Sequence, residues 1–342
     1  MNLELLRAKL KANINKVADL RLNSKLFDKD VEQVPTRDGY GEGLIALGER
    51  NPNVVVLTGD LAESTRALKF TEKFPDRFIE CGVAEQNMMG IAAGLALSGK
   101  VPFVSSYAVF VPGRCWDQLR VSVCYSKANV KVAGAHAGIS VGPDGATHQA
   151  LEDIASVRAL PNLTVIVPCD SIETRKATIA AGEIVGPVYF RFAREKTPVM
   201  TTQDSPFKVG KAEVFYQSGK DVAIIASGPV LYKALIAARE LDEEGISSIV
   251  VNNHTIKPID KETITTVATQ AGAVVTVEEH QTLGGCGSAV AETLAEHYPV
   301  PVEFVGMPNT FGESGQPEEL LEKYGMGVKD VKEAVKRVLK RK

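Results

Sequence analysis

Residues 77–107 read RFIECGVAEQNMMGIAAGLALSGKVPFVSSY. A short apolar run, Arg77–Ile79, gives way to a helical stretch, Ala84–Ser98, and then to a second apolar run, Val101–Ser105. Short apolar runs alternating with helical stretches are the pattern of a parallel sheet whose crossovers cover both faces. The same alternation extends outward. Strand-like runs stand at Val54–Leu57, Val130–Ala133, Thr164–Val167 and Val188–Phe192, with helical stretches at Trp116–Tyr125 and Ser171–Gly182. Residues 196–207, KTPVMTTQDSPF, are polar and punctuated by Pro, which suits a linker. A second series follows: Val222–Ala226, a helix Leu231–Glu244, Ile249–Val251, a helix Lys261–Ala271 and Val274–Val277. A helix near Ser288–His297, a strand Val302–Val305 and a terminal helix complete it. The pattern predicts an α/β protein of two doubly wound domains in series. The expected divisions are a helical extension over 1–34, a first domain over 35–197, a linker over 198–207 and a second domain over 208–342. Within the extension, Leu3, Leu6, Leu10, Ile14 and Val17 form one stripe of a 3.6-residue period.

Composition narrows the class without naming a chemistry. A length of 342 residues suits about two domains. A formal charge of −3 offers no basic face for nucleic acid or an anionic membrane. Cys81, Cys115, Cys124, Cys169 and Cys286 are scattered and include no C-x-x-C pair, so neither a zinc knuckle nor a redox dithiol is signalled. Reduced thiols and a charged N-terminus without a continuous apolar core lead us to expect a cytoplasmic protein.

Ligands of open parallel sheets bind beyond the carboxyl ends of the strands, at a topological switch point. Val54–Leu57 leads to Asp60, Ile79 to Glu85, Val130–Ala133 to His136, and Val188–Phe192 to Arg194. Two acids, an imidazole and a guanidinium are thereby expected at one edge. Glu85 sits in the first turn of a helix otherwise made almost wholly of Met, Ile, Leu, Ala and Gly, where an unpaired charge is costly. It reads either as a complement to the helix N-terminus or as a group sharing a proton with a ligand nitrogen. Tyr107 and Phe110 read as core or as a platform for a flat heteroaromatic ring. The loop GAHAGISVGPDGATHQALEDIA (134–155) gathers His136, Asp144 and His148, in a spacing that matches no metal-ligand motif and suits donors to sugar hydroxyls or phosphate oxygens. His254, His280 and His297 read as surface or packing residues.

Several segments resemble the C-terminal half of transketolase: GVAEQNMMGIAAGLAL (82–97), FVSSYAVF (103–110), GPDGATHQ (142–149), LPNLTVIVPCD (160–170) and TIKPID (255–260). VEEHQTLGGCGSAV (277–290) and GESGQPEELLEKYGM (312–326) resemble its last domain. The resemblance runs in register from about Thr36 to the end. It implies a pyrimidine-binding domain of the thiamin-diphosphate type followed by a transketolase C-terminal-like domain. By that likeness Glu85 hydrogen-bonds the pyrimidine nitrogen of the cofactor, Phe110 stacks on the aminopyrimidine with Tyr107 beside it, and Asp60 lies near the cofactor. Arg37, Ser64, His136 and Arg194 hold the sugar phosphate, while Asp144 and His148 contact substrate hydroxyls; Glu85, His136 and His148 form the implied catalytic set.

The chain departs from the family pattern in three places. Val111-Pro112-Gly113-Arg114 has one residue more between the stacking Phe and the following Arg, and Pro143 replaces an acid common in relatives. The Gly-Asp-Gly motif that binds the divalent cation of the diphosphate is missing; residues 59–61 are Gly-Asp-Leu and 143–145 are Pro-Asp-Gly. The resemblance therefore implies one half of a split transketolase. Mg2+ (or Ca2+) and the diphosphate would be held by an N-terminal subunit, in an α2β2 assembly that transfers a two-carbon ketol unit between sugar phosphates. A deoxyxylulose-phosphate synthase, a 2-oxo acid dehydrogenase β-subunit and a non-catalytic assembly subunit are the competing readings. The sugar-phosphate set disfavours the dehydrogenase, and Glu85 disfavours the assembly role.

Overall fold

The computed structural model describes residues 22–342, so the amphipathic helix read between Leu3 and Val17 lies outside the described residues. Two α/β units in series are present, as the alternation of apolar runs predicts. The first is built on β2 (Val54–Thr58), β3 (Phe78–Glu80), β4 (Val101–Tyr107), β5 (Lys131–Ala135), β6 (Thr164–Ile166) and β7 (Val188–Phe192). They form a parallel sheet in the order β6–β7–β5–β4–β2–β3. The chain runs from β2 to the edge strand β3 and then crosses back to β4 on the other side of β2. That reversal opens a crevice at the carboxyl ends of β2 and β4. Register levels the ends of β4, β5 and β7: Tyr107 pairs with Ala135, and Ala135 with Phe192. The residues that follow these three strands therefore emerge at one height, while β2 and β3 end two residues lower, Thr58 opposite Ser105 and Glu80.

All five residues of β2, β5 and β7 are buried, as strands covered on both faces must be. One covering helix, Thr36–Arg50, was not evident in the sequence. It contains Gly39, Gly41, Gly43 and Gly48, each unfavourable for a helix by about 1 kcal/mol relative to Ala. Packing explains them. A Cβ on Gly39 would stand 1.9 Å from the Ser171 carbonyl oxygen, and one on Gly43 would stand 2.6 Å from Thr178 Cβ. The bare backbone lets this helix lie directly on Ser171–Glu183, and so fixes Arg37 in its first turn at the sheet edge.

The second unit is a five-stranded sheet in the order β14 (Val302–Met307), β13 (Val274–Gln281), β10 (Val222–Ser227), β11 (Ser248–Asn252) and β9 (Glu213–Gln217), with only β9 antiparallel. The units interlock. β12 (Thr255–Lys257) leaves the second unit to pair antiparallel with β6 at the edge of the first sheet. The short strands β1 (Gln33–Pro35) and β8 (Lys196–Pro198) pair with each other. At the seam the buried Glu279 accepts from the Ser140 amide at 2.6 Å, and Asn252 Nδ2 donates to Glu173 Oε1 at 2.8 Å. Burial, reinforced by Asp170, pushes the Glu173 carboxyl up to about 7. His254 and His280 are buried in this packing, whereas His297 lies exposed. Among the described residues no helix is long and apolar enough to cross a membrane.

Candidate active site at the switch point of the first sheet

Glu85 is the first residue of the helix Glu85–Leu97, and its side chain is only 4% exposed. The sequence left this carboxylate without a partner. The fold supplies Arg114, whose Nη1 donates to Oε1 at 3.0 Å and to Oε2 at 3.1 Å. The same guanidinium lies over the Phe110 ring, 3.8 Å from its centroid. Tyr107 stacks on Phe110 with centroids 5.7 Å apart and ring planes 16° apart. A buried acid at a positive helix end therefore stands beside an aromatic face, the geometry needed to hold a flat, nitrogen-bearing ring.

A second group of side chains lies beside it. Arg37 Nη1 donates to the Ser64 carbonyl oxygen at 3.0 Å and approaches His136 Nε2 at 3.4 Å. His136 Nε2 lies 3.2 Å from that same carbonyl. Ser64 thus takes part through its backbone. His136 has a left-handed backbone, φ 53°, and a buried ring in contact with Tyr107 at 4.1 Å between centroids. Burial, with Arg37 and Arg194 nearby, pushes the imidazole down to about 3, so it is neutral at physiological pH. His136 Nδ1 and Arg37 Nε are buried and have no hydrogen-bond partner among the described residues. Such groups are costly unless something satisfies them. Burial and the neighbouring Arg66 likewise push the Arg37 guanidinium below its ordinary value. Like charges crowded together lower one another's affinity for protons, and an incoming anion would relieve the repulsion.

The remaining predicted residues close the rim. Arg194 Nη1 donates to Asp144 Oδ1 at 2.8 Å, joining the end of β7 to the Gly-rich loop. His148 presents its ring edge-on to Phe110 at 5.4 Å and to Tyr107 at 6.0 Å, while Nδ1 meets Thr147 Oγ1 at 2.9 Å. Asp60 sits at the end of β2 with φ 63°, its amide donating to Glu80 Oε1 at 2.8 Å. Its carboxylate is exposed and shares no hydrogen bond with the other predicted residues among the described residues. The fold thus gathers Arg37, Ser64, His136, Tyr107, Phe110 and His148 into one contact network and leaves Asp60 on its margin. Two arginines were given no site role by sequence reasoning. Arg114 follows Phe110 by four residues, a helix-like offset that a Pro-Gly turn disguises. Arg66, with φ 69°, pairs with Asp38 at 2.6 Å and adds to the charge around Arg37. Among the described residues no three His, Cys, Asp or Glu side chains stand close enough to share a metal ion.

An acid, a stacking ring and a cationic rim thus lie together at the switch point of a doubly wound sheet, the place where α/β domains bind their ligands. The transketolase pyrimidine-binding domain family matches residues 32–200, and the transketolase C-terminal domain family matches residues 210–331. The chain belongs to the transketolase family. It is 44% identical over 308 residues to a putative transketolase C-terminal section of Methanocaldococcus jannaschii, covering 89% of this chain and 96% of that protein. It is 36% identical to human transketolase, covering 94% of this chain but only 51% of the human protein. Among solved structures, a split gene transketolase described as an inactive beta4 tetramer superposes with a TM-score of 0.85 at 49% identity, covering 90% of this chain and 99% of that one.

Proposed function

We propose that this chain is the C-terminal subunit of a thiamin-diphosphate-dependent transketolase, active with a second subunit that carries the diphosphate-binding domain. The observation that carries the reading is the single crevice in which Glu85, Phe110 and Tyr107 adjoin Arg37, His136, Arg194 and Asp144. These residues fit the cofactor's aminopyrimidine: Glu85 would hydrogen-bond a ring nitrogen, and Phe110 would face the ring with Tyr107 behind it. When bound, thiamin diphosphate supplies the electron sink that lets a two-carbon unit leave one sugar and join another.

The chain's own groups then have distinct tasks. Glu85 holds or releases a proton at the pyrimidine nitrogen, from a site where little water competes. Arg37 and Arg194 bind phosphate oxygens, for which a planar fork of donors is suited. Neutral His136 supplies whichever of donor or acceptor its tautomer leaves free at Nδ1. His148 and Asp144 stand at the rim, where hydroxyl groups of a sugar would lie. Mg2+ (or Ca2+) and the diphosphate would fall to the second subunit, a reading supported by relatives of like length named as a transketolase C-terminal section and a split gene transketolase. The assembly we propose is α2β2, with sites between the two kinds of chain.

The test is reconstitution. The chain alone, and the chain mixed with a subunit bearing Gly-Asp-Gly, are assayed with xylulose 5-phosphate, ribose 5-phosphate, thiamin diphosphate and Mg2+. Two-carbon transfer by the mixture only is the expected result. Transfer by the chain alone, or by no mixture, would overturn the reading.

A further inference from the structure

We propose that Arg114 is a displaceable latch, competing with a flat heteroaromatic ring for Glu85 and Phe110. This inference rests on the reading that Glu85 and Phe110 seat an aminopyrimidine. One guanidinium covers both surfaces that such a ring requires. Its Nη1 takes both oxygens of Glu85, at 3.0 and 3.1 Å, and its plane-bearing carbon stands 3.8 Å above the Phe110 centroid. Guanidinium groups stack on aromatic faces as planar rings do, so the two occupants exclude each other. A ring can reach the carboxylate and the phenyl face only after the arginine side chain has left.

The surroundings suit a side chain that leaves. Arg114 is 47% exposed while Glu85 is 4% exposed, so the arginine reaches in from solvent towards a fixed acid. Water can take up the guanidinium when it swings out, whereas Glu85 would be stranded without a partner. The backbone need not follow, because the Arg114 carbonyl oxygen is held by Gln86 Nε2 at 3.0 Å. The latch thus spares the buried carboxylate an unpaired state and is exchanged for the ligand's own donor. Lys could retain the charge at this position but not the planar stacking.

Trp116, the chain's single tryptophan, lies two residues from Arg114, is 38% exposed and donates from Nε1 to the Ser156 carbonyl oxygen at 3.2 Å. Its fluorescence reports directly on this turn. The full chain, Arg114→Gln, Arg114→Lys and Glu85→Gln are titrated with thiamin, which carries the ring without the diphosphate. The expected result is binding at least about fivefold tighter for Arg114→Gln, an intermediate gain for Arg114→Lys and at least tenfold weaker binding for Glu85→Gln. Equal or weaker binding by Arg114→Gln, with Glu85→Gln still impaired, would overturn the latch and leave the site standing. Equal thiamin binding by Glu85→Gln and the unchanged chain would overturn the functional reading itself. No signal from either the unchanged chain or Arg114→Gln would also overturn the latch, since its removal would have opened nothing.

Discussion

Both units of the molecule set a glutamate against the start of a helix near the carboxyl ends of parallel strands, and they use it differently. In the second unit Glu278, within β13, accepts from the Cys286 amide at 2.7 Å and the Gly287 amide at 2.8 Å, with His280 Nδ1 at 3.9 Å. Two amides at the start of the helix Cys286–His297 occupy both of its oxygens. In the first unit Glu85 belongs to the helix itself, and its bonded partner is the half-exposed Arg114 side chain. The contrast separates two roles of one residue type. A carboxylate satisfied by backbone is part of the scaffold, whereas one satisfied by a movable side chain is available to a ligand. Neither burial nor position at the sheet edge distinguishes them.

The largest effects should come from exchanging each acid for its amide. Glu85→Gln is expected to lower two-carbon transfer by the reconstituted enzyme by roughly 10²–10⁴-fold, the usual contribution of a proton-transferring group, with little change in thermal midpoint. Glu278→Gln should do the reverse. It turns one oxygen into a donor facing amide donors, at about 1–3 kcal/mol, and should leave kcat unchanged. Matching losses of activity and stability in both variants would erase the distinction.

A smaller effect probes the space around each acid. A Cβ on Gly285 would meet Glu278 Oε2 at 2.1 Å and His280 Nδ1 at 2.7 Å, so Gly285→Ala should cost about 1–3 kcal/mol by overpacking. Gly82, before the Glu85 helix, has φ +69° and nothing within 4 Å of an added Cβ. Gly82→Ala should therefore cost only the left-handed strain, about 1–2 kcal/mol. Denaturant midpoints decide the order, and a larger loss at Gly82 would contradict the account of the two entrances.

The smallest effect is read in pH. Burial pushes His254, stacked on Phe207 with centroids 4.4 Å apart, down to about 4. The unfolded chain takes up this proton near pH 6.5, and the folded chain does not until about pH 4. Stability from this group is thus complete above about 6.5 and is lost on acidification towards 4. His136 acts in the same direction. Glu173, raised to about 7, acts oppositely and adds stability as pH falls from 7 towards 4.5. His254→Phe keeps an aromatic ring without the titrating nitrogen. Its thermal midpoint should fall less between pH 6.5 and 4 than that of the unchanged chain, and parallel curves would refute this assignment.

Legibility in the sequence followed the range of the interactions. The runs Val54–Leu57, Val101–Ser105 and Val188–Phe192 announced strands because burial on both faces leaves them predominantly apolar. Thr36–Arg50 stayed hidden because its glycines answer to Ser171 and Thr178 on another helix, and nothing local favours a helix there. At the site, Phe110, Tyr107 and Glu85 were legible because an aromatic pair and a lone acid stand out from their neighbours. Arg114 was noticed only for its spacing from Phe110, since nothing local in a Pro-Gly turn marks an arginine as the partner of Glu85.

The sequence by itself determined two α/β units in series and proposed a sheet edge and a set of polar residues for their chemistry. Periodicity, turn residues and the rule for carboxyl ends act over a few residues or a single crossover, so they can be read along the chain. Only the tertiary structure decided which carboxylate a ligand can claim. Glu85 meets Arg114 across 29 positions, and Arg37 approaches His136 across 99. Whether a buried polar group is satisfied depends on every atom that folding brings near it, and that set is written nowhere in the local sequence.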